Sequence, residues 1–152
     1  MDNNDILRRL RFTFDFGDDT MIRMFALGGY EVTRADVSDW LKREEDEAFD
    51  PIDDRMLAVF LNGLIVDRRG EKNGQTPEPE EFLNNNMILR KLKIALELKS
   101  EDILAMFASV DRPISPHELT AFMRNPKQHK YRPCNDQYLR NFLNGLQKKY
   151  KR

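Results

Sequence analysis

The sequence is poor in the residues that most metal and redox chemistry draws on. A single cysteine, Cys134, stands among 152 residues, which excludes an intramolecular disulfide and any multi-cysteine metal or iron–sulfur site. The two histidines, His117 and His129, lie twelve residues apart, outside the usual metal-ligand spacings. Seven glycines and seven prolines are too few for a collagen-like or low-complexity chain. No apolar window approaches the roughly 20 residues that span a bilayer; the longest, Met56–Val66, is broken by Asn62 and Gly63. The opening MDNNDILRRL lacks the basic start and apolar run of a secretory leader. A cytoplasmic protein without a membrane partner is the expectation, and the lone thiol fits a reducing compartment.

Catalytic signatures are missing too. There is no His-Glu-x-x-His, no Cys-x-x-Cys, no Gly-x-Ser-x-Gly and no glycine-rich phosphate cradle. No catalytic residue, metal ligand or cofactor is therefore expected, and a non-enzymatic protein is the leading reading. What is present is a globular composition: 40% hydrophobic and 34% charged residues, with a mean hydropathy of −0.68.

The chain is one unit written twice. Shifted by 82 positions, Asn4–Leu64 aligns with Asn86–Leu146 without a gap. Asn4, Ile6, Leu7, Arg8 and Leu10 recur as Asn86, Ile88, Leu89, Arg90 and Leu92. Met24-Phe25-Ala26 recurs as Met106-Phe107-Ala108, and Pro51, Asp54 and Leu57 recur as Pro133, Asp136 and Leu139. The run Phe60-Leu61-Asn62-Gly63-Leu64 returns intact as Phe142-Leu143-Asn144-Gly145-Leu146. That makes 16 identities in 61 positions, where average residue usage would give about three or four by chance. The division that follows is a first unit at 1–67, a charged linker with two glycines and two prolines at 68–82, and a second unit at 83–152.

Each unit offers four helical segments. The first spans Asp5–Asp15 or Met87–Glu97, with Ile6, Leu7, Leu10 and Phe14 on one face. A strand-like alternation of Leu10, Phe12, Phe14 and Phe16 competes there, but the helix formers of Lys91–Glu97 outweigh it. Asp18 and Ser100 are the expected caps of the second helix, which stops at Gly28-Gly29 in the first copy. Thr33 with Asp36, and Ser115 with Glu118, resemble capping boxes at the third helix, and Pro116 sits at its first helical position. Asp53 and Asn135 cap the fourth, whose apolar stripe begins at Met56 and Leu57, or Tyr138 and Leu139. No segment demands a strand. The fold class is all-α: two tandem repeats of a four-helix unit with a helix-turn-helix-like core, expected to pack together, a pseudo-twofold arrangement being one solution. The Asn-Gly pairs, Asn62-Gly63 and Asn144-Gly145, mark either close helix approach at an interface between the repeats or a bend or end of the fourth helix. A ligand pocket beside them is a further alternative.

The opening Asn4–Arg11, the Met24–Gly29 turn, the Val37–Lys42 helix and the repeated Phe-Leu-Asn-Gly-Leu together resemble the YehS-like family of small bacterial tandem-repeat proteins of unknown function. The resemblance covers nearly the whole chain. It implies a bacterial cytoplasmic protein and carries over no catalytic residues.

The net charge of −1 conceals an asymmetry. Residues 1–76 hold 11 basic and 17 acidic residues, whereas residues 77–152 hold 14 and 9. Arg124, Lys127, Lys130 and Arg132, with Lys148 and Lys149 near the C-terminus, are candidates for binding nucleic acid or another anion. The aligned stretch of the first copy, Arg43-Glu44-Glu45-Asp46-Glu47, is acidic. Attraction between the two halves, within or between chains, explains the same pattern. A helix-turn-helix reading of the second and third helices is opposed in copy one by Asp36, Asp39, Glu44 and Glu45, and by a connector from Gly28 to Thr33 longer than the usual turn. In copy two, His117, Arg124 and Lys127 make DNA contact more credible. Three functions thus compete: a binding or scaffold protein with a protein partner or self-association, a nucleic-acid-binding regulator using the second copy, and a small-ligand protein with a pocket between the repeats.

Overall fold

The computed structural model describes residues 1–151. They form α1 (Asn3–Phe14), α2 (Asp18–Leu27), α3 (Arg34–Leu41) and α4 (Asp54–Arg69), followed by α5 (Asn85–Ala95), α6 (Ser100–Ser109), α7 (Pro116–Met123) and α8 (Asp136–Tyr150). Every helix of the second set begins 82 residues after its counterpart. Among the described residues the extended pairing is confined to one isolated bridge, Lys72 with Gln75. Two compact units result, Met1–Leu83 and Asn84–Arg152.

Local chemistry places the helix ends. Thr33–Asp36 and Ser115–Glu118 form the expected capping boxes, each hydroxyl accepting from the N–H three residues on and each carboxylate accepting from the cap N–H. Asp2 with Asp5 adds a third at α1. Asp53 and Asn135 accept from Met56 and Tyr138 N–H groups. Asp18 and Ser100 are instead the first helical residues, one position after the true caps, Gly17 and Lys99. Their place in the first turn still suits Asp18 and Asp19, whose charge faces the positive end of the helix dipole. Leu10, Phe12 and Phe14 of the strand-like alternation lie in α1, which stops where Asp15 turns left-handed at φ 55°, before Phe16.

The expected stripes form the cores. In the first unit Phe25 packs against Trp40 and Phe60, with ring centroids 5.1 and 5.3 Å apart. In the second, Phe107 faces Phe142 at 6.2 Å and Phe122 meets Tyr138 edge-on at 5.0 Å. Met24, Met106, Ile52 and Cys134 are buried as well.

The fourth helices continue without interruption through Asn-Gly. α4 extends into the expected linker as far as Arg69, where Gly70 takes φ 79° and stops it. The end of the connection is fastened to the first unit. Leu83 is buried and its N–H donates to the Asp54 carboxylate (2.9 Å), while the Arg55 guanidinium donates to Glu81 (2.9 Å) and to the Tyr30 hydroxyl. The compact first unit accordingly takes in the connection as far as Leu83.

Gly63 explains itself by its neighbour. A Cβ at Gly63 would overlap the Met24 carbonyl of α2, and one at Gly28 would overlap the Val59 carbonyl of α4. In the second unit a Cβ at Gly145 would stand 2.7 Å from the Met106 carbonyl oxygen, and Val110 replaces the second glycine. The close approach is therefore between the second and fourth helices of each unit.

Candidate functional site

The polar residues of the first helix that recur in both units converge on the loop joining the third and fourth helices of each unit. Asn4, buried in α1, donates its amide to the Trp40 and Asp50 carbonyls (both 2.9 Å) and accepts from the Ile52 N–H (3.2 Å). Asn86 repeats each bond, to Phe122 O (3.0 Å), Arg132 O (2.9 Å) and from Cys134 N–H (2.8 Å). Asn3 donates to Ile52 O and the Asp54 carboxylate, and Asn85 to Cys134 O and Asp136. Arg8 reaches Lys42 O (2.7 Å), and Arg90 reaches Met123 O and Arg124 O (3.1 and 3.3 Å). A loop that would leave its carbonyls and amides unpaired against a core is thus satisfied by three side chains of the first helix.

Within the loops the main chain also repeats. Asp50 N–H bonds Asp39 O and Arg132 N–H bonds Ala121 O, both at 3.2 Å. Asp46 N–H to Arg43 O (3.0 Å) matches Gln128 N–H to Asn125 O (2.8 Å). The two loops therefore share one frame, and their differences lie in the tips.

The tips are opposite in charge and exposed. Arg43, Glu44, Glu45, Asp46 and Glu47 all face solvent in the first unit. In the second, Lys127, His129 and Lys130 do so. Arg124 is half-buried and donates to His129 O (2.9 Å), bracing the loop from inside. Arg132 pairs with Glu118 at 3.2 Å and lies 5.4 Å over the Tyr138 ring. The Ser115 backbone N–H holds Glu118 below the ordinary carboxylate range, helped by the Tyr138 hydroxyl and the Arg132 cation. Among the described residues Glu44, Glu45, Glu47, Lys127 and Lys130 make no ion pair.

The six cations singled out from sequence do not form one patch. Arg124, Lys127, Lys130 and Arg132 belong to the loop that enters α8. Lys148 and Lys149 sit in its last turn, roughly 20 Å along the axis at 1.5 Å per residue. Lys148 donates to Ser109 O (2.6 Å) and Lys149 lies over the Tyr150 ring.

Asn62 and Asn144 also part company: Asn62 is buried at 1% exposure, whereas Asn144 is exposed. Beside Gly145 a shallow groove of about 230 Å³ opens, lined by Asp102, Ala105, Met106, Ser109, Lys148 and Lys149. In the first unit the Arg23–Asp67 ion pair (2.8 Å) joins the positions equivalent to Ala105 and Lys149. Cys134 is buried behind the loop, which pushes its thiol up to about 12 and keeps it protonated. No cluster of three or more His, Cys, Asp or Glu residues that could hold a metal exists among the described residues, nor a helix long and apolar enough to cross a membrane.

Comparison with known proteins agrees with the internal repeat. The family model described as "Protein of unknown function (DUF1456)" matches twice, over residues 3–70 and 85–152. The uncharacterized protein YehS of Escherichia coli strain K12 is 42% identical over 145 residues, which is 95% of this chain and 93% of that protein. No solved structure matches.

Proposed function

The chain belongs to the DUF1456 family, and from that premise we propose that it is a non-enzymatic binding protein whose working surfaces are the tips of the two third-to-fourth-helix loops. One observation carries this reading: the polar side chains of the first helix that recur in both units are consumed in holding the loops, and the tips so held differ in exposed charge. Rigid, satisfied supports with chargeable tips suit recognition of a macromolecular surface more than chemistry on a small substrate.

The test compares native protein with two tip variants, Glu44→Lys/Glu45→Lys and Lys127→Glu/Lys130→Glu, as baits in a bacterial lysate. Partners should be retained by the native bait and lost from one variant or both. Turnover of a metabolite by the native chain, with identical captured proteins on all three baits, would sink the proposal.

A second reading, nucleic-acid binding by the second loop, draws on exposed Lys127 and Lys130 beside half-buried Tyr131. DNA and RNA affinity measured against salt should weaken and flatten on Lys127→Glu/Lys130→Glu. An unchanged affinity and slope would rule it out.

A further inference from the structure

We infer that the basic loop of the second unit docks on the acidic loop of the first unit of a second copy of this chain. The inference rests on the reading of the loop tips as working surfaces and names their partner. Residues 124–132 carry four Arg or Lys and no acid, while residues 43–47 carry four acids and one Arg. Both tips stand on frames with the same main-chain and asparagine bonds, so Lys127 takes the place on one frame that Glu45 takes on the other. Preorganisation removes most of the ordering cost that a mobile charged loop would bring to an interface. Among the described residues Glu44, Glu45 and Glu47 on one side, and Lys127 and Lys130 on the other, make no ion pairs.

Complementary charge is what selects a second copy as occupant. A chain with a net charge of −1 meets its own kind without general repulsion. The contact joins different patches and is therefore heterologous. It closes as a dimer when both loop pairs engage and otherwise grows head to tail. Exposed ion pairs are individually weak and are screened within a Debye length, so the association is modest and sensitive to salt.

The experiment is sedimentation or light scattering of the full chain. At about 100 μM protein and about 20 mM salt the average mass should rise at least about 1.5-fold above the monomer, and at about 500 mM salt it should return there, since screening removes the attraction. The monomer mass is 18.0 kDa. E44K/E45K and K127E/K130E should each remain monomeric at low salt with unchanged circular dichroism and Tm. Mixed together, they restore one native pair, the basic loop of E44K/E45K against the acidic loop of K127E/K130E, and should associate again. A native chain that stays at 18.0 kDa in low salt overturns the inference; so does association that survives either reversal, or a mixture that fails to associate. The lysate comparison is scored separately, so loss of self-association with partners still captured through the tips separates failure of this inference from failure of the functional reading.

Discussion

The first and second units are two solutions to one packing problem, and they differ in tightness at one seam and in charge at one tip. α2 meets α4 through two glycines, Gly28 and Gly63, each set against a carbonyl of the other helix. α6 meets α8 through Gly145 alone, with Val110 where Gly28 would be, and a groove opens beside it. The asparagine supports, by contrast, are the same bond for bond. What is common to the units is the part that folds; what separates them is where a duplicated module is free to acquire different work.

The seam offers the hardest break. Gly63→Ala should destabilise the first unit by more than about 3 kcal/mol, because a backbone carbonyl must move. Gly145→Ala should cost about 1 kcal/mol, since a smaller shift relieves it and alanine recovers some helix propensity. Urea denaturation of both variants measures the gap; equal losses would mean the two seams are equally tight after all. Next, Asn4→Ala and Asn86→Ala should each cost about 2–4 kcal/mol, because each strands one N–H and two carbonyls. Their losses should be alike, and hydrogen exchange at Ile52 or Cys134, whose N–H groups the asparagines accept from, should accelerate. An asparagine removable from one unit without cost would show that the supports are not equivalent.

A smaller effect separates Glu118 from Asp36. Glu118 is lowered in the folded state, so the stability it adds is full above the unfolded value of 4.5 and is lost as pH falls through its folded value. Glu118→Gln should therefore lower Tm at pH 7, and the difference from native should close on acidification below about pH 4. Asp36→Asn should lower Tm less, because Asp36 has no counterpart of the Tyr138 and Arg132 contacts. The tip reversals should change stability least, within about 0.5 kcal/mol, as exposed substitutions away from supports do.

The repeat, the four-helix unit and most caps were legible because helix signals are local and were read twice. The caps of α2 and α6 slipped by one residue: Asp18 and Ser100 satisfy the same composition rule at the first helical position as at the cap. The asparagine support was visible only as recurrence. Asn4 bonds main chain 36 to 48 residues away, and no side-chain pattern announces that. Asn3 and Asn85 recur one position before the aligned block, a signal present but outside the window. The loop charges were plain in the sequence, yet the separation of Lys148 and Lys149 from Arg124–Arg132 depends on the uninterrupted length of α8. Likewise Gly63 suggested close approach, but its neighbour, Met24 of the same unit, is a tertiary fact.

The loop supports have an evolutionary consequence. Each loop is fastened by Asn and Arg side chains of the first helix, which lie outside the segment they hold. Mutations in the tip therefore leave the supports untouched, and after duplication one copy could drift acidic while the other drifted basic with neither losing its fold. The first helix holds the shape so that the loop can vary, and exchanging Arg43–Ala48 with the aligned residues 125–130 should move a binding preference from one unit to the other as a cassette.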